Sequence, residues 1–324
     1  MDTKWLFYVS LGAIADALDL ILTYVKPDRR PQRNIPSDID HLSDDALLDL
    51  LGAAPQLIPS EDTSHLCGDI RRPTPHTVVK RCQDLDLDGC NADATEANVL
   101  NLLFAETTIP VPRVRRVIAL GGYFWIFMDY IPGQTLAQAW PTLSNWKKIC
   151  IAFTLRRYVR QLRGLKASAT TPPGPLSIQG PRICESPMFG TVLSDRGPFA
   201  SYSELSGFFN ERHQLAAKMA GTPEDDLQRK EHFDDSEPLV LTHQDLNLRN
   251  MIIDKDGRLW MIDWAWAGYY PVWFEYTTMQ FQNKMEHISG TNDLFWKQLI
   301  PFICGPYFKQ ERWWKRMSGS LYFL

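Results

Sequence analysis

Thr242-His243-Gln244-Asp245-Leu246-Asn247-Leu248-Arg249-Asn250 sets an aspartate two residues after a histidine and an asparagine five residues after that aspartate. The apolar run Met251-Ile252-Ile253 follows, then a turn at Asp254-Lys255-Asp256-Gly257, and then a second short strand, Leu259 to Ile262, that delivers Asp263. Two adjacent strands would thus carry two carboxylates and an amide oxygen to one place. That donor set suits phosphoryl transfer, where the protein must align an attacking hydroxyl and screen the charge on phosphate oxygens. Asp245 is suited to orient the hydroxyl and accept its proton, while Asn250 and Asp263 offer oxygen ligands to Mg²⁺. His243 reads as a buried imidazole that holds the backbone of the loop rather than as a reactant.

Upstream, alternation and turn residues outline a small sheet with one helix. Thr77 to Arg81 is rich in β-branched residues, and Val114 to Leu120 and Tyr123 to Tyr130 meet at Gly121-Gly122 as a hairpin. Ala94 to Glu106 reads as a helix with Glu96, Leu100, Leu103 and Phe104 on one face. Beyond about residue 144 helical periodicity dominates, with Asn145 to Lys166 and Ser203 to Ala220 as the longest segments. The expected organisation is an N-terminal helical extension (1–60), a nucleotide-binding N-lobe (61–134) and a C-lobe with the catalytic and substrate-binding residues (135–324).

The stretch from His243 to Asn250, with Ile262-Asp263-Trp264 behind it, resembles the aminoglycoside phosphotransferase and choline kinase branch of the protein-kinase-like superfamily. Ile109 to Val114, Phe127 to Gly133 and Trp264 to Tyr276 resemble its fungal phosphotransferase-family members. The resemblance spans roughly residues 74 to 310. It implies an α+β, bilobal protein-kinase-like fold with a small antiparallel-sheet N-lobe and a mostly helical C-lobe. It also implies ATP and Mg²⁺ as cofactors and a small-molecule hydroxyl as acceptor. Residue by residue it implies Asp245 as catalytic base, Asn250 and Asp263 as metal ligands, Lys80 on the third strand against the α/β-phosphates, and Glu96 as the ion-pair partner of Lys80. Val78-Val79-Lys80 has the β context for such a lysine, and Glu96 lies on the inward face of the next helix. Phe127 to Ile131, including Met128 and Tyr130, would be the connection whose backbone meets adenine.

The chain departs from that pattern in three places. Residues 52–80 hold only Gly52 and Gly68, with no G-x-G-x-x-G, which leaves Ser64 to Arg72 as the candidate phosphate loop. D-F-G is replaced by Asp263-Trp264-Ala265 and no A-P-E follows, against a protein substrate. Ala265 stands where fungal members often carry an acid. A catalytically weak nucleotide-binding scaffold is therefore the alternative to a small-molecule kinase.

Aromatics crowd behind Asp263: Trp264, Trp266, Tyr269, Tyr270, Trp273, Phe274 and Tyr276. They read either as core of the large lobe or as a cation–π wall for an amine. Glu224, Asp225, Asp226, Asp234, Asp235 and Glu237 read as a solvated charged face, with reception of a polycation as the alternative.

With 324 residues, 44% of them hydrophobic, the chain can bury a large core, and a net charge of −4 argues against nucleic acid as a partner. Six scattered cysteines form no C-x-x-C pair and read as reduced, mostly buried thiols, so a cytoplasmic location is expected. Trp5 to Val25 is apolar apart from Asp16 and Asp19. Two aspartates in a bilayer would cost roughly 2.5–3.5 kcal/mol each, which disfavours a spanning segment. The expectation for residues 5–25 is an amphipathic helix packed on the protein or lying on a membrane surface, membrane contact not being the favoured reading, with a signal peptide or anchor as the alternative.

Overall fold

The computed structural model describes residues 3–25, 36–57, 69–82, 93–288 and 293–322. Its N-lobe is a four-stranded antiparallel sheet in the order β1-β2-β4-β3, with β1 at Ile70–Arg71, β2 at Thr77–Cys82, β3 at Val114–Leu120 and β4 at Tyr123–Asp129. Gly121 and Gly122, at φ 64° and 79°, supply the two left-handed positions of the β3–β4 turn, a conformation that side-chain-bearing residues resist.

The two-residue period of β2 sorts its side chains between two layers. Thr77 and Val79 face one way: Thr77 Oγ1 donates to Asp38 at 2.8 Å, and Val79 packs with Ile39, Leu47 and Leu51 around helix α2 (Asp44–Ala53). Lys80 and Cys82 face the other way, toward helix α3 (Thr95–Glu106). A one-residue slip would exchange the two sets, so this apolar seam fixes the register that aims Lys80.

The remaining chain is mainly helical: α4 (Leu136–Ala139), α5 (Asn145–Gly164), α6 (Tyr202–Met219), α7 (Phe274–Ile288), α8 (Leu294–Cys304) and α9 (Phe308–Tyr322). Two small antiparallel sheets sit among them. One joins β5 (Gln134–Thr135), β8 (Met251–Ile253) and β9 (Leu259–Met261); the other joins β6 (Gly174–Pro175), β7 (Val240–Thr242) and β10 (Gly268–Tyr270). The main core runs through both lobes, from Leu100 and Ile126 to Leu155, Met261 and Trp296. A second, aromatic cluster gathers Phe189, Phe209, Phe233, Tyr270, Trp273, Phe274 and Trp313.

Helix α1 (Thr3–Val25) packs against the C-lobe. Its inner side carries Tyr8, whose hydroxyl donates to the Gln298 carbonyl at 2.9 Å, and the buried Gly12 and Ala15. Asp16 receives Arg156 through two bonds of 2.7 and 2.8 Å, and Asp19 receives Arg160 at 3.1 Å. The expected helix packed on the protein thus has its acids and Tyr8, Leu11 and Ala15 turned inward, with Phe7, Ile14, Leu18 and Ile21 exposed on its outer side. Among the described residues no helix is long and apolar enough to cross a membrane.

Candidate functional site

Strand β7 ends at Thr242, and the chain turns through Gln244 at φ 66°, a left-handed backbone held by a fully buried side chain. Gln244 Nε2 donates to Thr242 Oγ1 at 2.8 Å, and its Oε1 accepts from Ser186 at 3.0 Å. His243 is anchored on three sides. Its backbone N–H donates to Glu275 Oε2 at 2.5 Å, Nε2 meets the Ile262 carbonyl at 3.0 Å, and Nδ1 accepts from the Asp245 N–H at 3.3 Å. Those partners define the neutral tautomer with the proton on Nε2. Burial pushes the imidazole down to about 4, and the ring lies 4.3 Å from Trp264, centroid to centroid.

Asp245 sits at the centre of an amide cluster. Its Oδ1 accepts from Gln282 Nε2 at 2.7 Å and from Asn247 Nδ2 at 2.9 Å, and its Oδ2 accepts from Asn250 Nδ2 at 2.7 Å. Burial, with the charge of Asp263 adding to it, pushes the carboxyl up to about 7, and the amide bonds and Arg249 oppose that rise. Asn247 also caps the turn that carries Asn250, accepting from the N–H groups of Arg249 and Asn250 at 2.8 and 3.2 Å. Ile262 N–H donates to the Asn250 carbonyl at 3.0 Å, so Asn250 and Asp263 leave neighbouring strands almost in register.

Asp263 follows β9 at φ 62°, a second non-glycine residue in the left-handed region. Strain of about 1–3 kcal/mol at such positions persists where the surroundings over-determine it, typically at functional sites. Lys80 Nζ lies 2.5 Å from Asp263 Oδ1 and 2.9 Å from Glu96 Oε2. Glu96 is buried in the first turn of α3, and its Oε1 also accepts the Trp264 N–H at 3.1 Å. Burial alone would depress the lysine, but the carboxylates of Asp263 and Glu96 hold it well above its ordinary value. Burial likewise works to raise Asp263, and Lys80 prevails and keeps it low. About a third of the Asp263 side chain stays open.

The donor set fits Mg²⁺. Asp263 offers a carboxylate, and Asn250, with its amide nitrogen committed to Asp245, offers its oxygen. Magnesium is ordinarily held by one or two carboxylates together with substrate phosphates, whereas a dedicated cage would need more. Among the described residues no group of three or more His, Cys, Asp or Glu could form such a cage.

Of the residues singled out in the sequence, Lys80, Glu96 and Asp263 are in direct contact, as are Asp245 and Asn250. Lys80 stands on the second strand of the described sheet, not the third. Ahead of β1 one further residue, Gln56, bridges Arg71, and residues 64–68 of the candidate phosphate loop lie outside the described residues, as do Cys67 and Cys90. Met128 is buried in β4 opposite Val78, while Tyr130 follows the strand, donates its N–H to the His76 carbonyl at 2.8 Å and lies under the Arg72 guanidinium at 3.7 Å.

The aromatic wall is mostly core: Trp264, Tyr270, Trp273, Phe274 and Tyr276 are buried, and only Trp266 and Tyr269 retain partial exposure. The acids of 224–237 fit a solvated face held by local bonds, such as Ser206 to Asp235 at 2.9 Å and Gln310 to Asp234 at 2.7 Å. The free thiols divide, with Cys184 and Cys304 buried, Cys82 half-buried and Cys150 exposed. Sequence reasoning missed Gln282, Glu275 and Cys82, whose thiol lies 3.3 Å from Glu96 Oε2. Asn247 was legible in principle as a polar cap before a turn.

A sheet lobe whose lysine–glutamate pair closes on an aspartate of a helical lobe, beside a buried H-x-D-x-x-x-x-N loop, defines an α+β, bilobal protein-kinase-like fold. Residues 77–289 match the profile of the phosphotransferase enzyme family, and the chain belongs to that family. Similar solved structures include aminoglycoside phosphotransferase APH(3'')-Id from Streptomyces rimosus, in complex with ADP and streptomycin, at 14% identity and TM-score 0.47 over 89% of this chain and 100% of that one. The GDP complex of wild-type aminoglycoside 2'-phosphotransferase-IIIa matches at 13% identity and TM-score 0.47, over 94% and 87% of the two chains. Spectinomycin phosphotransferase APH(9)-Ia, in complex with ADP and spectinomycin, matches at 16% identity and TM-score 0.44, over 84% and 85%. No curated protein matches the sequence significantly.

Proposed function

We propose that the protein is an ATP- and Mg²⁺-dependent kinase of a small-molecule hydroxyl, with Asp245 as base, Asn250 and Asp263 as metal ligands, and Lys80, positioned by Glu96, as the phosphate-binding cation. The observation that carries this reading is the meeting of Lys80 Nζ with both Glu96 and Asp263, the latter 183 residues away, beside the Asp245–Asn250 pair. Membership of the phosphotransferase enzyme family supports it. In this reading the chain divides into an N-terminal extension (1–60), an N-lobe (61–134) that takes the nucleotide and a C-lobe (135–324) that takes the acceptor. Backbone groups around Met128 and Tyr130, where β4 leaves the sheet, meet adenine. The free thiols fit a reducing cytoplasm.

Asp245 accepts the proton of the acceptor hydroxyl as the new O–P bond forms and the bond to the leaving diphosphate breaks. Gln282 and Asn247 hold one of its oxygens and Asn250 the other, which fixes the carboxylate plane before substrate arrives. His243 stays neutral and braces the loop through Ile262 and Glu275. Lys80 donates to phosphate oxygens, and Glu96 keeps it from swinging away. Asp263 and Asn250 would hold Mg²⁺, which when bound would neutralise charge on the transferred group.

Incubation with labelled ATP and a panel of amino alcohols, sugars and aminocyclitols tests the proposal. Phosphorylation of at least one acceptor should vanish in Asp245→Ala. Full activity in that variant would rule Asp245 out as the base.

A further inference from the structure

Surface helices normally turn charge to water and apolar residues to the protein, and α1 follows only the second half of that rule, packing Tyr8, Leu11 and Ala15 inward while leaving its outer side uncharged between Trp5 and Ile21. Its two acids are spent inward on Arg156 and Arg160. From Trp5 to Ile21 every exposed residue is uncharged, and Ser10 is the one polar side chain among them. Phe7, Ile14, Leu18, Leu20 and Ile21 are 50–64% exposed. Phe7, Ile14, Leu18 and Ile21 fall on one side of the helix over roughly four turns, while Leu20 points to a neighbouring side, and such exposed apolar side chains are of the kind that monomeric soluble proteins rarely leave to water.

The N-terminal end of the helix is flanked by lysines. There Lys4, Lys297 and Lys315 line a cavity of about 520 Å³ with Tyr8 and Phe308, where Lys315 pairs with Glu311, the one acid of the lining, and Lys4 lies over the Phe308 ring. A second copy laid parallel on this helix would bring two lysine-rich ends together. An anionic surface would neutralise that end while taking up the apolar strip beside it.

We propose that α1 is an interfacial anchor that docks the enzyme on an anionic lipid bilayer, with Phe7, Ile14, Leu18 and Ile21 entering the headgroup–acyl boundary and the lysine-lined cavity facing lipid phosphates. The helix lies flat, since no described helix can span a bilayer. Docking is independent of the phosphotransferase reading and would hold for an inactive scaffold as well.

The test is cosedimentation of the full chain with phosphatidylcholine vesicles, with and without phosphatidylserine. Binding should require phosphatidylserine and weaken as salt rises. Ile14→Glu and Ile21→Glu should each weaken it about tenfold or more, as removal of a buried aliphatic side chain requires, with thermal unfolding unchanged. Leu227→Glu, at an exposed leucine of another loop, should leave it intact. Absence of binding, equal binding to neutral vesicles, or binding unaffected by Ile14→Glu and Ile21→Glu overturns the proposal. So does a dimer in vesicle-free solution that these two variants convert to monomer without any vesicle binding.

Discussion

Lys80 Nζ stands 2.5 Å from Asp263 Oδ1 and 2.9 Å from Glu96 Oε2, so one cation from the sheet lobe bridges a helix of its own lobe and the strand end of the other. Breaking a buried pair on one side leaves an uncompensated charge, which costs about 3–5 kcal/mol. Lys80→Met should therefore lower the urea-unfolding free energy by that amount. Glu96→Gln keeps an acceptor for the Trp264 N–H and should cost about 1–2 kcal/mol. Equal losses in the two variants would contradict the arrangement.

His243 provides a test in the pH dependence of stability. Its folded-state value is depressed from 6.5 to about 4, so the folded protein binds fewer protons than the unfolded chain between those limits. Its contribution is fully present above pH 6.5 and is lost as pH falls toward 4, an amplitude of about 3 kcal/mol. Glu275 and Asp245, both pushed up to about 7 by burial, act with the opposite sign in part of that window. The difference between native and His243→Gln unfolding profiles therefore isolates the histidine. A difference that stays flat from pH 7 to 4 would show that the ring is not held neutral.

The Asp245 carboxyl, raised to about 7 by burial and by Asp263, predicts a rate that climbs with pH through an acid limb near or below 7. Arg249 lowers that value through its charge, so Arg249→Ala should move the limb to higher pH. Gln282→Leu removes a 2.7 Å bond to the carboxylate and should move it the same way. A limb that stays in place in both variants would assign it to another group.

Gln244 at φ 66° offers a backbone test. Gln244→Ala and Gln244→Gly both lose the bonds to Thr242 and Ser186, but only glycine relieves the left-handed conformation. Gly should therefore be the more stable of the two by about 1–2 kcal/mol, read by urea unfolding. Equal stability would mean that the loop relaxes out of this conformation.

Much of this was legible in the sequence because it is local or periodic. The spacing from His243 to Asn250, the strand that delivers Asp263 and the Gly121-Gly122 hairpin all reappear in the structure, and Lys80 alternates with Val79 as a strand requires. Gln282 and Glu275 were not legible as loop partners, since they meet Asp245 and His243 from 37 and 32 residues away with no spacing rule to link them. The aromatic run after Asp263 showed composition but not direction: the sequence could not say that Trp273 and Phe274 turn into a core built from α6 and α9. Likewise Asp16 and Asp19 looked like the polar side of a helix, and only Arg156 and Arg160 on α5 reveal that they face inward.

Thermal unfolding with ATP, with and without Mg²⁺, in the native chain and in Asp263→Asn tests most directly whether Lys80 and Asp263 form the proposed Mg²⁺-nucleotide site. A ligand present at about 100 times its Kd adds roughly 2.7 kcal/mol, a readily measured rise in Tm. A rise that needs Mg²⁺ and disappears in Asp263→Asn is the expected result. No rise in the native chain, or an equal rise in the variant, would contradict the account and leave the fold as a scaffold without phosphotransfer chemistry.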